Sequence, residues 1–156
     1  MATNSFTANG LTISVSASSP ATEDAAGYAA LTYTEIPEVT SATAFGVTYN
    51  IVTHQPLAAK TTYKRKGTSD EGTCTLTMAY ERADAGQTIL LAGLDALTSY
   101  SFKFEFDNSG GTNGDTIYFK GLITSYQVDG MTGPDSIVTA TCATAIDGKT
   151  VYVAAA

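Results

Sequence analysis

Alternation of apolar and polar residues is the main pattern along this chain of 156 residues. Tyr100, Phe102, Phe104 and Phe106 alternate strictly with polar residues, which predicts a half-buried β-strand. Shorter or weaker patterns of the same kind predict strands at 11–16, 30–35, 44–54, 73–80, 116–128, 137–145 and 151–153. Residues 108–114 and 130–134 are rich in Gly and predict turns.

One segment has helical spacing instead. Ile89, Leu90, Leu94 and Leu97 recur on one face and predict a helix of about ten residues. Asp84 is placed to cap its first turn, and Gln87 to return the bond in a capping box. Six to eight strands and one helix make the chain mainly β.

Composition indicates one folded domain, residues 1–156, with a net charge of −7. Its acidity argues against binding nucleic acid through the phosphates, which calls for a basic stripe. The first eleven residues hold no Lys or Arg and no apolar core of a signal peptide. The longest aliphatic run, Ile89–Leu94, is too short to anchor the chain in a membrane. A soluble protein made in the cytosol is therefore expected.

The residues give little support to an enzyme. His54 is the only histidine, and no nucleophile elbow surrounds it. Cys74 and Cys142 lie far apart in strand-like contexts, so both are expected to be buried thiols. No catalytic residue, metal site or cofactor is predicted, although hydrolysis by two acids that meet only in the fold stays open.

Residues 55–72 stand out because they have no clear period and hold half of the positive charge. Lys60, Lys64, Arg65 and Lys66 are four of the eight basic residues. A solvated loop is one interpretation. Structureless loops of this length are uncommon in compact domains, however, and are usually functional or disordered. A basic arm on an acidic body is complementary to another copy of the same chain.

The order of these parts resembles the major tail tube protein of long-tailed bacteriophages (siphophages). The similarity runs from Lys64 to Lys149, through KRKGTSDEGTCTLTMAYERADAGQTILLAGLDALTSYSFKFEF and then DTIYFKG, with EIPEVTS near the N-terminus. The type VI secretion tube shares that architecture. The resemblance implies a two-sheet β-sandwich or barrel with one flanking helix, an N-terminal segment at 1–28 and a loop arm at 55–72. It also implies no C-terminal immunoglobulin-like domain, since the chain stops at Ala156.

In function, the resemblance implies a virion structural protein, made and assembled in the host cytoplasm. Six copies would form a ring whose inner sheets make a β-barrel, and stacked rings would form a tube that conducts DNA without binding it specifically. Its partners would be further copies, a tape-measure protein, the tail tip or baseplate, and a tail terminator. The arm would reach a neighbouring ring through Lys60, Lys64, Arg65, Lys66, Asp70 and Glu71.

The polar face of the predicted strands fits a tube wall. Thr side chains dominate it, and a mostly uncharged surface without basic residues would not hold phosphates. The residues expected to face the lumen are Thr48, Asn50, Thr73, Thr75, Thr77, Gln127, Asp129, Thr139 and Thr141. A soluble β-sandwich that serves as a binding or adhesion module is the alternative; it would present an exposed aromatic groove and would not need the basic arm.

Overall fold

The computed structural model describes residues 5–108 and 113–156. Residues 1–4 of the predicted N-terminal segment and residues 109–112 of the predicted turn lie outside this part. The described residues form nine strands and two helices. In chain order these are β1 Thr12–Ser16, α1 Ala25–Ala29, β2 Thr34–Glu35, β3 Val39–Ala42, β4 Thr48–His54, β5 Tyr63–Asp70, β6 Thr73–Ala79, α2 Ala85–Ala92, β7 Tyr100–Glu105, β8 Thr116–Asp129 and β9 Thr139–Val153.

Seven strands form one antiparallel sheet in the order β2-β1-β7-β8-β9-β6-β3. This sheet has two halves, and its two longest strands, β8 and β9, run through both of them. β7 pairs only with residues 116–121 of β8, and β6 pairs only with residues 139–145 of β9. Register shifts after Tyr118 and Ile123 interrupt the β8–β9 ladder between these halves, where bulges bend strands. We call the half with β1, β2 and β7 the first sheet, and the half with β3 and β6 the second sheet.

The two sheets enclose one hydrophobic core. Phe102, Phe104 and Phe119 enter it from the first sheet, and Leu76 and Met78 from the second. Each of these five side chains is at most 2% exposed. The alternation of the sequence therefore corresponds to an inner and an outer face of each sheet.

Three residues close the curled sheet. β2 and β3 are its two edge strands, yet only residues 36–38 separate them. The amide of Ile36 donates to the carbonyl of Ile13 at 2.8 Å, and the amide of Ala79 donates to the carbonyl of Glu38 at 3.0 Å. A link this short spans at most about 15 Å, so the edges lie near each other. The predicted two-sheet sandwich or barrel with a flanking helix is confirmed.

The flanking helix α2 differs from the prediction in two ways. Asp84 caps it as expected, accepting from the amide of Gln87 at 2.7 Å. The Gln87 side chain, however, bonds to Glu81, Ala79 and Tyr126 and not back to Asp84. Because the helix ends at Ala92, Leu97 lies beyond it and is fully exposed. The apolar face is therefore shorter than its spacing indicated.

A second, short helix was not predicted. α1 begins after Asp24, whose carboxylate accepts from the amide of Gly27 at 2.7 Å. Tyr28 in this helix stacks on Tyr118 with ring centroids 5.5 Å apart, and Tyr33 lies against the same ring. Tyr118 pairs with Lys103, on the side of the first sheet opposite the core. This segment therefore covers the outer face of the first sheet.

Candidate assembly surfaces

The segment 55–72, predicted as an aperiodic loop, contains the second strand of a β-hairpin. β4 and β5 pair with each other alone, from Thr48 opposite Asp70 to His54 opposite Tyr63. Strand β5 has no apolar alternation, so the sequence pattern did not reveal it; its backbone pairing with β4 forms it. Only residues 55–62 remain as the connecting loop.

This hairpin extends the ribbon that β3 and β6 form in the second sheet. Between the two pairs, the amide of Thr43 donates to the carbonyl of Thr75 at 3.0 Å, and the amide of Gly46 to that of Glu71 at 3.2 Å. A β-strand rises about 3.3 Å per residue, so the seven residues of β4 carry the hairpin about 20 Å from this base.

Every residue of the hairpin strands is exposed. Its apolar side chains are exposed as well, with Ile51 and Val52 at 56% and 57%. The ammonium of Lys66 lies 4.7 Å from the ring centroid of Tyr49, which is a cation–π contact. The hairpin therefore presents a surface that is both cationic and apolar.

The residues predicted for the arm fall into two groups. Lys64, Arg65 and Lys66 lie on β5, and Lys60 lies in the loop at the far end, all exposed to solvent. Two acids are instead engaged at the base. The carboxylate of Asp70 accepts from the amide of Gly72 at 3.0 Å, and that of Glu71 accepts from the hydroxyl of Thr150 at 2.9 Å. The four basic residues thus form the projecting charge.

Most residues predicted to face a lumen share the outer face of the second sheet. In the ladder, Thr77 lies opposite Thr141, which lies opposite Gln127; Thr139 lies opposite Asp129. Thr73 and Thr75 precede Thr77 on the same side, since Cys74 and Leu76 between them are buried. Thr48 and Asn50 do not lie on this face; they belong to the hairpin, where the side-chain amide of Asn50 donates to the hydroxyl of Thr68 at 3.1 Å.

The ladder adds residues that the sequence did not single out. Ser41, Ala143 and Ala145 lie opposite predicted residues, and Leu122 and Ser125 lie opposite Ala145 and Ala143. Four of the five lie in the strands predicted at 116–128 and 137–145, but a selection that followed alternating Thr residues omitted them. Asp129 is the only charged residue on this outer face within the described part of the chain. We call this surface the open face.

Two strand edges of the second sheet are unpaired in the part of the chain that the structure describes. β3 pairs only with β6, and residues 122–129 of β8 pair only with β9. Because antiparallel strands alternate in direction, β3 and β8 run in opposite directions at the two sides of this four-stranded sheet. Unpaired edges of this kind are templates for pairing with another chain.

The histidine and the two cysteines considered for catalysis lie in different parts of the fold. His54 is exposed at the distal end of β4, opposite Tyr63. Cys74 and Cys142 are buried free thiols, and loss of solvation raises the pKa of Cys74 to about 12 and that of Cys142 to about 11. A thiol with such a raised pKa is a poor nucleophile at neutral pH. Across the described residues, no group of His, Cys, Asp or Glu is arranged to hold a metal ion.

None of the helices in residues 5–108 and 113–156 is long and apolar enough to cross a membrane. Neither a family model nor a curated protein matches the sequence.

The fold does match solved structures. A chain in the structure of the baseplate of the anti-feeding prophage (AFP), 6-fold symmetrised, matches 99% of this chain and 98% of its own length, with a TM-score of 0.71 and 10% identity. A chain in the sheath/tube terminator structure of PVC, an extracellular contractile injection system, matches 96% of this chain and 97% of its own length, with a TM-score of 0.68 and 13% identity. A chain of the SPP1 tail tube matches 93% of this chain and 77% of its own length, with a TM-score of 0.64 and 13% identity. This chain has the tail-tube fold. At these identities the comparison establishes the architecture, and the suspected resemblance is supported at that level.

Proposed function

We propose that the protein is the structural subunit of a long-tailed phage tail tube. Copies form a ring, rings stack into a tube, and the lumen of the tube conducts DNA during ejection. The β4–β5 hairpin is the observation that carries this proposal. An isolated two-stranded hairpin is marginally stable in water, and this one also exposes Ile51, Val52 and Tyr63. Another chain that covers it would remove this exposed apolar surface.

The charge distribution favours a second copy as that chain. The hairpin and its loop hold four of the eight basic residues, while fourteen of the fifteen acids lie elsewhere in the sequence. Two copies can therefore approach with unlike charges in contact, which favours association and fixes its orientation.

Ring closure follows from the two unpaired edges. The second sheet has four strands, an even number, so its edges β3 and β8 run in opposite directions. When copies stand side by side around an axis, β8 of one copy meets β3 of the next as an antiparallel pair, and the hydrogen-bonded ladder continues around the ring. A closed ring leaves no edge unpaired. Six copies is the number we propose, in keeping with the 6-fold symmetry named for the AFP baseplate.

The open face would then line the lumen. Its side chains are mainly hydroxyls and methyls, with Asp129 as the one charge among the described residues. Such a wall is wetted but offers no cation to a phosphate, so DNA would pass without being held. Thr48 and Asn50 lie on the hairpin and would contribute only where it borders the lumen.

The remaining partners come from the family resemblance. A tube of this kind contains a tape-measure protein, starts at a tail tip or baseplate, and stops at a terminator. The AFP and PVC structures named above include a baseplate and a sheath/tube terminator. The protein would accordingly belong to the virion tail and assemble in the host cytoplasm, with no membrane anchor, no cofactor and no enzymatic activity.

Electron microscopy tests the proposal. Purified protein is examined by negative stain at rising concentration, with sedimentation velocity on the same samples. Hollow tubes or stacked rings are expected. A protein that stays monomeric even after addition of a tail-tip complex would refute the proposal and favour a soluble binding module.

A single substitution tests ring closure. Since the amide of Thr43 points to β6 and amides alternate along a strand, the amide of Ala42 points away from β6 to the unpaired side. Proline is tolerated at such an edge position but removes the donor. Ala42→Pro is expected to fold normally and fail to form rings, whereas Ala42→Ser, which keeps the amide, is expected to assemble. Rings of normal yield from folded Ala42→Pro would exclude β3 as the closing edge.

A further inference from the structure

The end of the second sheet that is farthest from the hairpin forms a second continuous surface. Three chain segments meet there. The amide of Ala79 donates to Glu38 at 3.0 Å, and that of Tyr80 donates to Val138 at 2.9 Å. Asp129, which ends β8, lies opposite Thr139 at the start of β9. Residues 36–38, 80–84 and 129–138 are therefore neighbours.

This surface is acidic. Glu38, Glu81, Asp129 and Asp135 are all exposed, and Arg82 is the single base in these three segments. In the described part of the chain none of the four acids forms an ion pair; the ion pairs there involve Lys103 and Lys120. Their charge is thus not neutralised within one copy.

Exposed apolar side chains accompany these acids. Met131 and Ile137 are 71% and 76% exposed, and Tyr80 is 38% exposed. The hairpin also presents charges interspersed with large apolar side chains, but its charges are positive. This surface, which we call the acidic end, therefore has the charge opposite to that of the hairpin and, like the hairpin, exposed apolar side chains.

We infer that the acidic end binds the β4–β5 hairpin of a second copy in the adjacent ring. This inference rests on the proposed tube function and names the surface that receives the arm. In the observed fold the hairpin of a copy cannot contact the acidic end of the same copy. The hairpin projects from the start of β6, whereas the acidic end lies at the end of β6. Those points are about 20 Å apart along the seven residues of β6.

The arrangement is head to tail. Each copy offers its hairpin in one direction and its acidic end in the other, so the contact is heterologous and does not close. Contacts of this kind generate open filaments, which is what stacking into a tube requires. Ring closure uses different groups, the backbone edges of β3 and β8, and so can be separated from stacking by mutation.

Charge reversal and its compensation test the inference. Glu81→Lys with Asp135→Lys is expected to leave rings intact but to raise the protein concentration needed for tubes by about tenfold or more. Lys64→Glu, Arg65→Glu and Lys66→Glu together are expected to do the same. Combining all five changes in one chain, or mixing the two variants, restores opposite charges across the contact and is expected to recover tubes. Rings and tubes are counted by negative-stain microscopy at moderate salt.

The control is a change of equal charge at another place. Asp95→Lys with Asp107→Lys alters two exposed acids outside the acidic end and is expected to form tubes normally. The inference is overturned if the acidic-end variant stacks like the natural chain, if the combined variant fails to recover, or if the control blocks stacking equally. Each of these outcomes leaves the proposed tube function standing when the natural chain forms tubes; failure of the natural chain to form rings or tubes would reject both.

Discussion

The β3–β6 and β4–β5 pairs are two halves of one ribbon in opposite environments. In the β3–β6 half, Cys74, Leu76 and Met78 alternate inward and are at most 1% exposed. In the β4–β5 half every residue is exposed, on both faces. Backbone pairing continues from one half to the other, so pairing alone does not distinguish them. The two halves differ in burial: the same copy covers the inner side chains of the β3–β6 half, but it covers no side chain of the β4–β5 strands.

This difference indicates where a single copy is incomplete. The barrel buries its apolar side chains by itself, with Phe102 and Phe119 stacked at 5.2 Å in its core. The hairpin and the open face remain uncovered by any described residue. Stability of the monomer should therefore depend on the barrel, and assembly on the hairpin, with little overlap between the two.

The largest effect is expected from truncating one aromatic residue of the core. Phe119→Ala should lower the free energy of unfolding by about 3–5 kcal/mol, because it removes a buried ring and leaves a cavity. Ile51→Ala on the exposed hairpin should change it by no more than about 0.5 kcal/mol, yet impair tube formation. Chemical denaturation of dilute monomer measures the first effect and negative-stain microscopy the second. A large loss of monomer stability in Ile51→Ala would mean that the hairpin packs on its own barrel.

In each half the sequence predicted one strand and missed the other: β6 and β4 lie in the predicted strands at 73–80 and 44–54, whereas β3 and β5 were not predicted. Strict alternation from Tyr100 to Phe106 and at Cys74, Leu76 and Met78 reports burial on one face, and those strands are found as expected. β5 consists mainly of charged and polar residues that do not alternate with apolar ones, so its sequence carries no periodic signal, and pairing with β4 forms the strand. At Leu97 the pattern predicted too much structure. This apolar residue has helical spacing, yet it lies beyond the end of α2 and is fully exposed.

The residues of the open face could also be predicted only in part. Alternating Thr residues on β6 and β9 placed most of the open face correctly on one side of a sheet. Thr48 and Asn50 were grouped with them because a sequence does not state which strands pair. Whether the open face or the hairpin meets another copy depends on the groups of two chains together, which the periodicity of one strand does not report.

An intermediate effect is expected at Gln87, which fastens the end of β6 beside helix α2. Its side-chain amide donates to the carbonyl of Ala79 at 2.7 Å and accepts from the amide of Glu81 at 3.0 Å. Gln87→Ala should cost about 1–3 kcal/mol, because Gln87 is buried and the part-buried carbonyl of Ala79 and amide of Glu81 both lose their partner. Thr88→Ala, at the neighbouring exposed position, is the control and should cost less. Both changes introduce Ala, which favours a helix, so equal losses in thermal denaturation would show that the anchoring of β6 by Gln87 contributes little.

The smallest effect concerns the outer face of the first sheet, which α1 covers, in contrast to the open face of the second. Tyr28 is fully buried there, and its hydroxyl has no hydrogen-bond partner within the described residues. Burial raises the pKa of Tyr28 to about 12, with Glu23 and Asp147 adding to the effect. Tyr28→Phe removes only this unpaired hydroxyl, so stability near neutral pH should be unchanged or slightly higher.

At high pH the same variant should differ from the natural chain. The unfolded chain ionises Tyr28 near its ordinary pKa of about 10, while the folded chain holds it neutral. Its contribution to stability is therefore complete below about pH 10 and is lost as pH rises towards about 12. Tyr28→Phe should lose less stability across that interval, measured as unfolding free energy against pH, whereas Tyr152→Phe at an exposed site should follow the natural chain. Identical slopes for all three proteins would mean that α1 opens before Tyr28 titrates, and that the first sheet is no better covered than the second.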